Sequence, residues 1–474
     1  MIGITSIGAY IPMYRLKREE IARMWGTRGM GGEKSVAGYD EDSITMAVAA
    51  ARECQNRCSG DVEGLYFAST TAPYQEKQSA AIIASVIGLD RKSATSDLAN
   101  SLRSSTTAVK FALDAVKGGA ARQVMVAASD CRMGMPKSQF EQLFGDAAAA
   151  VAIGSERVIA EIEDCHSQYN DFTDIWRKVS DPYVKTGEGR FIGDEGYFAV
   201  MEEIISNIMN ANSLRPDDFA RIVFSASDGR QHAKLAKKLG FDTSRVQYPL
   251  FNEVGHMGTA GSIVMLAAAL ENAKPGDRIL LANYGDGVDV FILRVTESIN
   301  DFSFKGLVKD RLKKTRSINY GTYVDWRDQI PLDRASLPPR DPLSLATRWR
   351  ERKTISTLTG VKCRSCGTPQ IHIIGQNIRI CVQCQAKDNF DEYRFSDKKA
   401  RLFTYAIDNL QPTKNPPGVN GAVDFEGGGR LLCELTDYDL DKVKIGMPVE
   451  MTFRKLTMDD DVINYFWKAK PIDE

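Results

Sequence analysis

Histidine is scarce in this sequence, with four in 474 residues, and cysteine is limited to nine. Few side chains are therefore available as nucleophile, neutral-pH base or soft metal ligand. Charge of one sign is also missing: 61 Lys and Arg face 62 Asp and Glu, a net charge of −1. That balance supplies no field for general nucleic-acid or membrane-surface binding. No run of about 18 uncharged apolar residues occurs, so no membrane span is expected. Residues 1–12 form a short apolar, strand-like run without a charged leader, and the odd cysteine count points away from a disulfide framework. A soluble, cytoplasmic protein is the expectation.

What is present is length and apolar material. At 43% hydrophobic residues the chain can build several full cores, roughly three domains at about 150 residues each. Up to about residue 300, short β-rich runs alternate with longer Ala-rich helical runs, the pattern of an α/β fold. Strands are expected at 3–11, 64–69, 123–128, 148–153, 221–225, 278–282 and 289–295. Helices are expected at 42–54, 79–87, 105–116, 198–209, 231–239 and 261–273.

An internal repeat runs through this region. Gly64-Leu-Tyr-Phe-Ala-Ser69 corresponds to Arg221-Ile-Val-Phe-Ser-Ala226, and Gln123-Val-Met-Val-Ala-Ala-Ser129 to Arg278-Ile-Leu-Leu-Ala-Asn-Tyr284. Offsets of about 152 to 157 residues indicate a duplicated domain instead of a solenoid. Each half would then contribute half of a shared site.

The second part of the chain is different in kind. Residues 301–353 carry 13 Lys and Arg against 7 Asp and Glu, with a Pro-rich break at Leu337-Pro-Pro-Arg340. They read as a solvated linker with docking helices or as a basic strip beside a phosphorylated cofactor. Cys363-Arg-Ser-Cys366 is followed after fourteen residues by Cys381-Val-Gln-Cys384. That spacing suits two knuckles holding one tetrahedral Zn²⁺ in a closed, structural shell, with a hairpin at 370–374 and 377–380 between them. Short strands at 401–407, 421–425, 430–435, 447–453 and 462–467 suggest a small OB-type barrel. Its 424–461 stretch is acidic, which disfavours nucleic acid as a partner.

Several stretches resemble the thiolase superfamily, and most of all its archaeal-type 3-hydroxy-3-methylglutaryl-CoA synthases. They are Ala68-Ser-Thr-Thr-Ala-Pro-Tyr74, Gly145-Asp-Ala-Ala-Ala-Ala150, residues 176–193, Lys237-Lys-Leu-Gly-Phe241 and Leu281-Ala-Asn-Tyr-Gly-Asp-Gly287. Gly427-Gly-Gly-Arg-Leu431 and Ile445-Gly-Met-Pro-Val449 are similar to a zinc-ribbon/OB family that accompanies thiolase-like acyl-CoA enzymes. The resemblance implies a duplicated, layered αβαβα fold with halves at 1–160 and 161–300. A linker at 301–355, a zinc ribbon at 356–398 and an OB domain at 399–474 would follow. It also implies a CoA thioester as substrate, and a homodimer formed through the strand after the nucleophile helix, here 123–128.

The family's chemistry uses a cysteine at a helix start, where amides and the helix dipole favour a thiolate. A glutamate and a histidine move protons. In Asn100-Ser-Leu-Arg-Ser-Ser-Thr-Thr-Ala108 the cysteine position falls on Leu102. The glutamate position falls on Thr70 and the histidine position on Ser225. Leucine forms no thioester, so the covalent route fails at its first step. Cys131 and Cys165 read as small buried hydrophobes.

Gly255-His-Met-Gly-Thr-Ala-Gly261 resembles the Gly-His turn of thiolases and ketoacyl synthases, and by the repeat His256 is the counterpart of Leu102. It is the first candidate for chemistry, with Gly258 and Gly261 shaping the binding turn. Tyr284 is either a proton-transfer group or a packing tyrosine. Asp286 either orients a base or caps its turn, and Arg103 meets a ligand anion or an acidic neighbour. Of the other histidines, His232 reads as a helix-start cap, His166 as a loop residue and His372 as a surface residue. The favoured function is an acyl-CoA C–C bond enzyme working by aldol or retro-aldol chemistry on a β-hydroxyacyl-CoA. The alternative is a non-catalytic scaffold subunit partnering an active thiolase-like acyltransferase.

Overall fold

Strands built from small and β-branched residues, buried on both faces, account for the centre of the molecule. Ala147–Gly154 and Gln123–Asp130 have every residue buried. In the computed structural model, which describes residues 1–333, 343–372, 374, 377–457 and 462–472, they lie side by side in a nine-stranded sheet. The chain divides into two compact units. The first comprises Met1–Ala37, Asp42–Ala84 and Leu89–Val324; the second comprises Gly38–Glu41, Ser85–Gly88 and Asp325–Glu474.

In the first unit, the strand order across the sheet is Arg221–Phe224, Arg278–Tyr284, Gly287–Val295, Ala160–Tyr169, Gly3–Tyr10, Ala147–Gly154, Gln123–Asp130, Gly64–Ala68 and Ala94–Leu98. Read outward from the middle, the two directions repeat one topology: the expected duplication is in place. In the sheet its two middle strands pair at Gly3 with Glu161 and Ile4 with Ala160. The last strand of the first half, Ala94–Leu98, has as its counterpart a single bridge, Ile222 with Val246.

Two central helices follow the matched turns. Gly261–Leu270 is apolar and buried at every residue, as a helix enclosed by strands of both halves must be. Ser104–Lys117 buries Ala108, Val109, Ala112, Leu113 and Val116 and turns Lys110 and Asp114 outward as an i,i+4 ion pair. The helix Ser43–Gln55 covers the outside of the first half, started by a reciprocal Asp42–Thr45 capping box. Ala199–Ala211 and Gly229–Lys238 cover the second half with their own apolar core. This is the αβαβα layering expected from the sequence.

Some expectations need correction. Strand 123–130 is paired on both sides and wholly buried, so it cannot zip to a second copy. The exposed edge at that side of the sheet is Ala94–Leu98. His166 lies within the strand Ala160–Tyr169, opposite Val290. His232 does not cap its helix: Asp228 does, accepting the Arg230 and Gln231 amides, while His232 packs 4.4 Å from the Phe224 ring. Arg316–Ile318, in the presumed linker, is a parallel strand beside Tyr14–Lys17.

In the second unit, Pro369–Gln370, Thr359–Cys363 and Phe390–Arg394 form a three-stranded sheet. A five-stranded sheet follows in the order Arg430–Glu434, Gly418–Phe425, Ala400–Asp408, Pro448–Thr457 and Asn464–Pro471, and a bridge between Leu435 and Ala469 draws its ends together. Trp467, Leu402, Val423, Val449 and Phe395 fill this small β domain. The expected hairpin between the cysteine pairs falls partly on residues 373, 375 and 376, outside the described set, as does the Pro-rich break at 337–340. Among its described residues, Gln370 pairs with Val361 and Ile380 bridges Lys387. His372 is not a surface residue; its Nε2 sits 2.9 Å from Thr354 Oγ1 and 3.2 Å from Glu351.

Candidate active site

The two matched turns, at Leu102 and at His256, converge on the ends of strands 123–130 and 278–284. The histidine turn is fixed by Asp130, the last residue of its strand and fully buried. One carboxylate oxygen accepts from the Ser69, Thr70 and Thr71 hydroxyls (3.1, 3.1 and 3.0 Å) and from the Thr70 amide at 2.7 Å. The other accepts the Thr259 amide at 2.8 Å. Gly258 lies against this carboxylate with φ +58°, and a Cβ there would overlap it. Asp130 thus ties the Thr70 loop to the histidine turn. Nothing in the sequence singles it out except a charge at the end of an apolar strand.

His256 is held at both ends. Its amide donates to Leu143 O (2.8 Å) and its carbonyl accepts from Gly145 N (3.1 Å). The side-chain Nδ1 accepts the Gly258 amide at 3.2 Å, which leaves the ring hydrogen on Nε2. Arg132 Nη1 is 3.5 Å from the same Nδ1, and its guanidinium lies 4.2 Å from the centre of the Phe144 ring. Burial first, and then the charge of Arg132, push the His256 pKa down to about 3. The imidazole is neutral at working pH and presents a donor, not a base, at Nε2.

On the other side of the site, Gly285 packs against the turn bearing Leu102. A Cβ at Gly285 would lie 2.8 and 2.9 Å from the Arg103 and Leu102 amides. Ser101 Oγ donates to Gly285 O at 2.9 Å, and Asn283 Nδ2 to Leu102 O at 3.3 Å. Tyr284 is thereby set beside Leu102. Its hydroxyl donates to Asp174, and its pKa is raised by burial and then by that carboxylate. Asp174 is itself raised by burial, with the charge of Asp286 adding to the effect. The Tyr197 ring meets that of Tyr284 edge-on at 5.2 Å.

The remaining predicted residues are placed as follows. Ser225 Oγ accepts the Tyr284 amide at 2.8 Å, and its carbonyl accepts the Tyr197 hydroxyl at 2.6 Å. Thr70 is committed to Asp130, and Arg177 Nη2 donates to its carbonyl. Arg103 Nη1 pairs at 2.8 Å with Asp289, a fully buried carboxylate that also accepts from Thr106 and Thr107. Asp286 is exposed, in the left-handed region at φ +48°. Gly261 is buried at the start of its helix. Leu102 is half-buried immediately before the N-cap of the first central helix. The cysteine next to this cluster is Cys131, between Asp130 and Arg132. Cys165 lies in a strand opposite Phe291, its thiol pKa raised by burial. Asp130, Arg132, Asp174 and Tyr197 escape sequence reasoning, because each acts through a partner distant in the chain.

In the second unit, Cys363, Cys366, Cys381 and Cys384 bring their sulfurs within 4.8 Å of one another. Cys363 and Cys384 are 3.6 Å apart, and Cys366 and Cys381 are 3.5 Å apart. Tetrahedral coordination at about 2.3 Å from a metal places sulfurs about 3.8 Å apart, so the donor set fits such an ion.

The chain is similar to known proteins in both parts. The C-terminal domain of 3-oxoacyl-[acyl-carrier-protein] synthase III matches residues 209–295, and the C-terminal OB-fold domain of ChsH2 matches residues 393–454. The hydroxymethylglutaryl-CoA synthase of Methanopyrus kandleri is 33% identical over 343 residues, 69% of this chain and 98% of the relative. That of Picrophilus torridus is 33% identical over 342 residues, 69% of this chain and 97% of the relative. A crystal structure of HMG-CoA synthase complexed with CoA superimposes with a TM-score of 0.62 at 19% identity, covering 72% of this chain and 95% of that one. The 3-oxoacyl-(acyl carrier protein) synthase III of Pseudomonas aeruginosa gives 0.57 at 18% identity, covering 62% and 98%. The chain therefore belongs to the hydroxymethylglutaryl-CoA synthase family, a thiolase-like group of enzymes that form carbon–carbon bonds at acyl-CoA thioesters, and it carries a C-terminal OB-fold domain of the ChsH2 type.

Proposed function

We propose that this protein makes or breaks a carbon–carbon bond of a β-hydroxyacyl-CoA by aldol chemistry, with no acyl-enzyme intermediate. One observation carries the reading: a neutral, Nε2-protonated His256 and a Tyr284–Asp174 pair flank the turn where leucine stands in place of the family nucleophile. In the cleavage direction the substrate hydroxyl gives its proton to Tyr284 as the tyrosine passes its own to Asp174. The Cα–Cβ bond breaks, a carbonyl compound leaves, and the electron pair becomes the enolate of a shorter acyl-CoA. His256 Nε2–H donates to the enolate oxygen, and the stored proton returns to the enolate carbon. No acyl group is transferred to the protein, so Leu102 serves as an apolar wall.

In this reading Thr70 and Ser225 position the loops that carry the reacting groups. Gly258 and Gly261 give the thioester room, and Arg103 shapes the pocket through Asp289. Asp286 stands at the mouth. The four cysteines of the second unit hold one Zn²⁺ as a structural ion whose closed shell leaves no position for substrate. A homodimer paired through Ala94–Leu98 fits the only change the sheet demands of the expected assembly.

The test is to incubate the purified protein with a series of β-hydroxyacyl-CoA thioesters and follow the released carbonyl compound and shortened acyl-CoA. His256→Ala and Tyr284→Phe are each expected to lower kcat by at least 100-fold. A second reading, a non-catalytic subunit beside an active thiolase-like acyltransferase, draws on the commitment of the Thr70 and Ser225 side chains to other protein groups. It predicts no turnover alone, and activity in a complex that survives both substitutions.

A further inference from the structure

Arg132 is 7% exposed, and among the described residues no carboxylate lies within ion-pairing distance of it. Its neighbour Asp130 is already taken by five donors from Ser69, Thr70, Thr71 and Thr259. Asp130 and Asp174 favour the charge on Arg132 without forming an ion pair with it, and Arg177 opposes it. The other acids on the segment that packs against the histidine are engaged elsewhere: Asp146 with the Ala37 amide at 2.8 Å, and Glu141 with Trp25 and Tyr320. The contacts Arg132 does make are the Phe144 face and His256 Nδ1. A guanidinium withdrawn from water without a direct ion pair is costly.

We infer that Arg132 is a positioning residue that fixes His256 as the neutral Nε2–H tautomer and so makes it a hydrogen-bond donor to the substrate oxygen instead of an acid or base. A guanidinium cannot accept a proton, so Nδ1 must stay unprotonated wherever Arg132 faces it. The Gly258 amide, donating to the same Nδ1 at 3.2 Å, reinforces the same choice. The fixed positive charge also opposes a second proton on the ring. When negative charge develops on an oxygen at Nε2, it does so against a donor whose state is already set, with no proton relocated in the protein. This deepens the aldol reading of the site, yet it concerns the resting protein and can be tested without substrate.

The measurement is 15N–1H NMR of the full chain labelled at histidine, with His256 assigned by its loss in His256→Gln. Wild type is expected to show a neutral Nε2–H ring unchanged from pH 8 to pH 5. In Arg132→Met, where the Gly258 amide still faces Nδ1 but the neighbouring positive charge is gone, the protonated ring should appear within that range. In Arg132→Lys, which retains a cation that only donates, the wild-type signature should persist. With a turned-over substrate, Arg132→Met should lower kcat at least tenfold with KM changed less than threefold, and should add an acid limb to the pH profile. A wild-type ring carrying its proton on Nδ1 overturns the inference. So does an Arg132→Met ring that keeps the Nε2–H form across the range. Because these spectra are read on resting protein, failure to find C–C cleavage does not decide them.

Discussion

Asp130 accepts five hydrogen bonds from two loops, and a single side chain therefore ties the Thr70 loop to the histidine turn. Asp130→Ala removes the acceptor from two main-chain amides and three hydroxyls, and an orphaned buried donor costs about 1–3 kcal/mol. We expect at least about 3 kcal/mol of lost stability in denaturant titration, accompanied by loss of turnover. The two depressed histidines give a second expectation. His256 titrates near 3 and His232 near 4 when folded, both well below the 6.5 of an exposed ring. The unfolded chain therefore binds protons that the folded chain refuses. The stability from these groups is complete above about pH 6.5 and falls as pH drops toward 4, at up to about 1.4 kcal/mol per unit for each ring. Denaturant midpoints measured between pH 7 and 4.5 check this, and His232→Phe should flatten the slope. At this scale the sequence was partly legible. Leu102 and His256 could be found because each sits in a turn with its own local pattern. Asp174, some 110 residues from Tyr284, has no such pattern, and only the fold brings the two together.

At the scale of elements, the duplication was the most readable feature. Strands at matched offsets had matched composition, and the sheet arranges them as two copies of one topology meeting edge to edge. Boundaries and neighbours were less readable. Strand 123–130 is as apolar as any edge strand sealed by a partner would be, yet its apolarity serves helices on both faces and strands on both sides. Ala94–Leu98, short and polar, gave no strand signal and nonetheless forms the edge. The loop after strand 278–284 must approach the Leu102 turn closely, which only a residue without Cβ permits. Gly285→Ala should move that turn by a fraction of an ångström. We expect a folded protein, judged by unchanged circular dichroism, with kcat/KM reduced at least tenfold.

For the whole molecule, the second unit combines a metal-type cysteine cluster with a β domain built around buried charge. Lys468 Nζ lies 3.0 Å from Asp40 and 2.9 Å from Glu434, and Arg454 pairs with Asp437 at 2.6 Å and with Glu41. Burial opposes the charge on Asp40, but Lys468 and Arg454 outweigh it and hold its carboxyl below the ordinary range. Asp40→Ala takes one carboxylate from a buried cluster in which Lys468 keeps Glu434 and Arg454 keeps Asp437 and Glu41, and should cost about 3–5 kcal/mol in denaturant titration. Metal analysis should return about one zinc per chain, with Cys363→Ser losing the metal and the protease resistance of the ribbon. The cysteine spacing made that cluster legible, since four thiols at two-residue gaps need only two tight turns to converge. The buried charges were not legible, because Gly38–Glu41 stands more than 400 residues from Arg454 and Lys468.

The claim on which the account rests is that a thiolase-like enzyme works here without an acyl-enzyme. Intact-mass spectrometry of the protein, acid-quenched during turnover of a β-hydroxyacyl-CoA, tests it most directly. The account predicts the unmodified chain mass while carbonyl product and shortened acyl-CoA accumulate in the same sample. A mass increased by the acyl group, mapped to Cys131 or any other residue and formed at the rate of turnover, would contradict it.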